Sequence, residues 1–211
     1  MVSFIEHICF YLFSFCVSTT LAAQEICWDS VCKCKEVDVG LFASPERMNK
    51  QTGISVCADI VEQLSEIDTI TQYNENIIGL FRITRERWKK RWQDNAEVAL
   101  IGRVYISANY DSYVFSYEER PRLRARSVFY IIANVIEKTI VDAVIISSTL
   151  PPDMDVIAER TSKNSFSQMS YPYVDFDVVN EVENRKDIIA TNSPKNRSII
   201  IFNDDGSITI R

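Results

Sequence analysis

The chain has one histidine, His7, and only five glycines in 211 residues. His7 stands inside MVSFIEHICFYLFSFCVSTTLAAQE, where residues 8–17 form an almost unbroken apolar run and Leu21-Ala22-Ala23 follow. That layout predicts a signal peptide over residues 1–23, with residues 24–211 forming a single exported domain. The run is shorter than the ~20 apolar residues that span a bilayer. Once the signal is removed, no imidazole remains. Ser-His-Asp and Cys-His catalysis, histidine metal ligands and histidine pH switching then leave with it. There is also no Gly-rich phosphate loop, no G-x-S-x-G and no H-E-x-x-H. Scarce glycine, with no repeat or low-complexity tract, argues against loosely tethered modules.

Four cysteines follow the expected cleavage point: Cys27, Cys32, Cys34 and Cys57. Outside the cytosol such a set is expected to form disulfides. The spacing C-x4-C-x-C-x22-C lacks the paired knuckles of a zinc site and the C-x-x-C of a redox site. A Cys32–Cys34 bridge closes a strained ring. Two pairings are then favoured: Cys27–Cys32 with Cys34–Cys57, or Cys27–Cys34 with Cys32–Cys57. Either fastens the N-terminal segment to the element that holds Cys57. Neither a metal nor a cofactor is expected.

Apolar residues make up 46% of the chain, enough to build a core. The net charge is −6, which argues against nucleic acid as a partner. The charge is uneven. Residues 82–126 carry 11 basic and 6 acidic groups, while residues 24–81 and 127–211 are both net acidic. Within that block, Arg82, Arg85 and Lys89 fall on a helical stretch, and Arg120, Arg122, Arg124 and Arg126 alternate in RPRLRAR. Together they are the candidate contact surface for a partner protein or an anionic surface. Trp88 and Trp92, at helical spacing, suit a core.

The expected fold is α+β. Helices are predicted over about 53–66, 73–93 and 124–139, with Ser55 as a cap of the first. Hairpins are predicted over 97–119 and 198–210, the second from SIIIF-NDDG-SITIR with Gly206 placed for positive φ. A strand is expected from Ile140, after the third helix. Residues 153–170 are polar and are expected to be a loop. PYVDFDVVNEV (172–182) and DIIAT read as strands. In YVFSYEE, Tyr113, Phe115 and Tyr117 share one face, best suited to core packing.

These features lead to an exported, non-enzymatic binding or assembly-accessory protein. A carboxylate-based secreted hydrolase is an alternative, since Asp175 and Asp177 (D-x-D) point the same way on a strand. A membrane-anchored periplasmic sensor or scaffold is another, and it requires the N-terminal segment to be retained. Finally, Asp68-Thr-Ile-Thr, a helix ending in Trp88, VYISAN, YVFSYEERPR and a further helix resemble the periplasmic accessory proteins of curli secretion over about residues 68–139. The resemblance implies a role in secretion of a fibre and carries over no site residues. Composition sets no oligomeric state.

Overall fold

The computed structural model describes residues 26–31, 33–67, 96–119, 127–150, 154–172 and 196–211. In chain order these are α1 (Trp28–Val31), a 3-10 turn (Val39–Ala43), α2 (Pro45–Met48), β1 (Ile54–Ser55) and α3 (Ala58–Ser65). The strands that follow are β2 (Ala96–Val104), β3 (Asp111–Glu119), β4 (Ser127–Ile136), β5 (Thr139–Leu150), β6 (Met154–Ser162), β7 (Ser165–Pro172), β8 (Asn196–Phe202) and β9 (Ile208–Ile210). Each strand pairs antiparallel with the next, giving one nine-stranded meander in sequence order.

The α+β expectation is therefore wrong: the chain is dominated by an antiparallel sheet with short helices. The helix expected over 124–139 is instead β4, followed by the tight turn into β5. Its physical basis is burial on both faces. Phe129, Ile131, Ala133 and Val135 pack into one core cluster, whereas Tyr130 and Ile132 pack into another. A strand covered on both sides has no polar face, so its sequence lacks the period of two that marks a half-exposed strand. The expected loop over 153–170 is the β6–β7 hairpin. The expected 53–66 helix is shortened to Ala58–Ser65, with Cys57 at its N-cap and Ser55 in β1 rather than capping. The helix expected over 73–93 and the strands expected at 172–182 and DIIAT lie, wholly or almost wholly, outside the described residues. The hairpins at 97–119 and 198–210 are present as β2–β3 and β8–β9.

The sheet divides at β5. This strand pairs with β4 along most of its length, but β6 meets it only at Ser148, Thr149 and Leu150. The two halves splay into layers and enclose the second cluster. Tyr130, Ile132 and Val144 come from one layer, and Ala158, Phe166, Ile200 and Phe202 from the other. Phe166 stands edge-on to both Phe42 and Phe202, with ring centroids 6.0 and 5.7 Å away. The outer face of β2–β5 carries the first cluster, roofed by Ile60 and Leu64 of α3 and by Val31.

Where strand pairing stops, side chains complete the hydrogen bonding. Ile146 is the extra residue of a β-bulge opposite Tyr130 and Ile131. Buried Gln168 of β7 donates from Nε2 to the carbonyls of Ile145 and Ile146, at 2.8 and 3.1 Å. Asp142 of β5 accepts the outward amide of Ile208 on β9 at 2.8 Å. Fully buried Asn134 accepts from Ser112 Oγ and donates to Gly206 O, both at 2.8 Å. Gly206, at φ 88°, makes the β8–β9 turn that Asn134 holds.

The N-terminal segment is stitched to the sheet. Ile26 bridges Val56, and this brings Cys27 and Cys57 to a Cα separation of 5.4 Å, where they form a disulfide. That bond belongs to neither favoured pairing. The expectation set Cys27–Cys57 aside because pairing all four cysteines would then force the strained Cys32–Cys34 ring, but the Ile26–Val56 bridge decides the contact. Cys34 packs half-buried against the first cluster, and Cys32 lies outside the described residues. Further along, Arg103 N donates to Lys35 O and Val37 N to Arg103 O, at 2.9 and 2.8 Å. Only glycine fits beside this junction: a Cβ at position 102 would lie 2.4 Å from Lys35 O.

Candidate functional site

The described turns between strands gather at one end of the sheet. They are residues 105–110, 137–138, 163–164 and 203–207. Between the first two sits an open cleft of about 660 Å³. The β2–β3 connection forms one wall with Tyr105, Asn109 and Asp111; the end of β4 and its turn form the other with Ile136 and Glu137. Arg103 and Glu36, neighbours through their parallel bridge, close it. A smaller hollow of about 270 Å³ continues past Tyr105 and Glu36 toward Asp38 and Arg160.

Local alternation explains the cleft's aromatic wall. Val104 and Ile106 are buried at 4% and 2%, so Tyr105 between them must face outward, and its side chain is 54% exposed. Its backbone is held by Arg160, whose guanidinium donates to Tyr105 O at 2.8 Å. Lys163 Nζ stands 5.0 Å from the ring centroid, a cation–π contact. Asn109 is anchored by donation from Nδ2 to Asp204 O at 3.1 Å. Tyr110 packs into the core beneath, and its buried hydroxyl finds no hydrogen-bond partner among the described residues. Burial, with Asp204 and Asp205 nearby, pushes its pKa up to about 12.

The β4–β5 turn is built from Glu137 and Lys138, both at positive φ (49° and 67°). Two-residue hairpin turns of this hand favour Asn-Gly, and non-glycine residues there carry strain. Lys138 has a role: its ammonium pairs with Asp29 at 2.6 Å, tying α1 to the turn and holding the Asp29 carboxyl below its ordinary pKa. Glu137 lines the cleft.

Among the described residues, no group of three or more His, Cys, Asp or Glu side chains could hold a metal ion. Asp204 and Asp205 occupy the β8–β9 turn, where two hydrogen bonds from Ser207 hold the Asp205 carboxyl below its ordinary pKa. Tyr113, Phe115 and Tyr117 are buried in the first cluster. The basic candidates Arg82, Arg85, Lys89, Arg120, Arg122, Arg124 and Arg126 lie outside the described residues, as do Asp175, Asp177, Trp88 and Trp92. The sheet does define where their segments attach. Ala96 pairs with Glu119, and Glu119 with Ser127. Ala96, Glu119 and Ser127, the described residues that border the stretch ending at Asn95 and the stretch RPRLRAR, therefore lie side by side at the end of the sheet opposite the cleft.

Sequence reasoning missed the cleft residues. Glu36, Arg103, Tyr105, Asn109, Asp111 and Glu137 share no motif and come from three separate parts of the chain. The one available signal was ANYD, which marks a turn. No helix among the described residues is long and apolar enough to cross a membrane. No protein-family model, curated protein or solved structure matches the chain.

Proposed function

We propose that the protein is an exported, non-enzymatic binding or assembly-accessory protein. Its contact surface for a partner protein or an anionic surface is the basic stretch between residues 82 and 126. The reading is supported by one observation, the register Ala96–Glu119–Ser127. Paired strands lie about 5 Å apart, so Ala96, Glu119 and Ser127, which border the two basic segments in the chain, are adjacent points of one sheet. A concentration of cations raises the local potential and steers acidic partners toward it. Export is supported by the Cys27–Cys57 disulfide, because such bonds persist in oxidising compartments.

The test is binding to anionic vesicles and to an acidic polypeptide, measured against salt. Charge reversal at Arg120, Arg122, Arg124 and Arg126 together is expected to abolish salt-sensitive binding while leaving the thermal midpoint in place. Unchanged binding by that variant would remove the basic stretch from the proposal.

A further inference from the structure

We propose that the cleft beside Tyr105 is a binding site for a neutral or amino-bearing oligosaccharide, distinct from the proposed basic contact stretch. Size is the first argument. About 660 Å³ lies within the range of small-ligand sites. The second is the platform. A pyranose has an apolar C–H face and an equatorial belt of hydroxyls, so it needs a flat aromatic surface beside hydrogen-bonding groups. Tyr105 supplies the ring. Burial of Val104 and Ile106 on either side pre-sets its outward direction, so little ordering is required on binding.

The third argument is the polar complement. Glu36, Asp111 and Glu137 provide carboxylate acceptors, and Arg103 a five-donor guanidinium. These four side chains share one cleft, yet none is hydrogen-bonded or ion-paired to another. Hydroxyls, which both donate and accept, satisfy such a mixed set. Three carboxylates against the Arg103 guanidinium, with the Lys163 ammonium over the Tyr105 ring, still leave a net negative set that disfavours sulfated, sialylated or uronic acid sugars by like-charge repulsion. A purely apolar ligand would strand the charged groups without water, which is costly.

The experiment titrates the full exported chain with cellotriose, maltotriose and chitotriose. Binding is read by saturation-transfer NMR and by calorimetry, with a heparin fragment and an oligoarginine peptide as contrasts. At least one neutral or amino sugar is expected to bind at millimolar strength or better. Tyr105→Ala is expected to weaken it by about tenfold or more, the loss of roughly 1.4 kcal/mol of ring contact. Tyr105→Phe should keep most of the affinity, since the ring is retained. Tyr105 is exposed, so both variants should unfold at the wild-type temperature. The proposal is overturned if no sugar binds, if Tyr105→Ala binds as well as wild type, or if the heparin fragment outcompetes the neutral sugars at this cleft. It is also overturned if only oligoarginine occupies the site, which would make it a basic-peptide groove.

Discussion

Replacing Gln168 with leucine tests whether a side chain can substitute for a missing strand. Gln168 is 2% exposed. Its amide satisfies the carbonyls of Ile145 and Ile146, and its Oε1 accepts from Ser198 at 3.4 Å. The bulge at Ile146 interrupts the ladder beyond the short β5–β6 contact, so the glutamine takes the donor role there. Leucine has a similar volume, so no cavity opens, and the carbonyls left without donors dominate over leucine's more favourable burial. Two buried carbonyls without donors cost about 1–2 kcal/mol each, which places the destabilisation at about 2–4 kcal/mol. With a urea slope of about 2 kcal/mol/M, the midpoint should fall by about 1–2 M with the slope unchanged. Gln168→Glu adds a pH signature. A carboxyl here must be protonated to donate, so burial raises its folded pKa above the unfolded value. Its stability is then present below about pH 4 and lost as pH rises through the raised value. A loss under about 1 kcal/mol for the leucine variant, with no pH dependence for the glutamate, would refute the argument that Gln168 holds the two layers together.

Three further outcomes are expected. Cys27→Ser with Cys57→Ser opens a loop spanning a sequence separation of 30 and should cost about 3–4 kcal/mol in the chain-entropy model, read as a lowered thermal midpoint. Gly102→Ala drives a methyl group against Lys35 O and should release residues 35–37 from β2. Hydrogen exchange at the amides of Val37 and Arg103 would accelerate by about tenfold or more, and unchanged protection would contradict the close approach. In alkali, Tyr110 should ionise late. Its pKa is raised to about 12, so its contribution to stability is intact below about pH 10 and is lost as pH rises through 12. Tyrosinate absorbance during a base titration should show that late step in the wild type and lose it in Tyr110→Phe.

The parts of the fold legible in sequence are those made by neighbours. NDDG announces the β8–β9 turn because Gly206 alone there adopts positive φ without strain. The 97–119 hairpin was legible for a similar reason: a turn-rich ANYD separates two runs of strand-forming residues. The alternation of Tyr113, Phe115 and Tyr117 marks the face that enters the first cluster. Residues 127–136 concealed their strand because core lies on both sides, and an apolar run spaced for a helix is then indistinguishable from a buried strand. The β6–β7 hairpin was hidden for the opposite reason. Polar and charged residues fill its turn and much of both strands, and its inward Gln168 and Ser170 are polar yet buried.

The sequence alone therefore determined the chemistry this chain has to work with: a single imidazole, clustered cysteines, a basic middle between acidic flanks, and two short-range hairpins. These follow from composition and from contacts a few residues apart. Tertiary structure decided which cysteines meet, because Cys57 reaches Cys27 only through the Ile26–Val56 bridge. It likewise decided where a ligand could sit. Glu36, Tyr105 and Glu137 are tens of residues apart in the chain, and only a sheet that returns its turns to one end brings them to a common cleft.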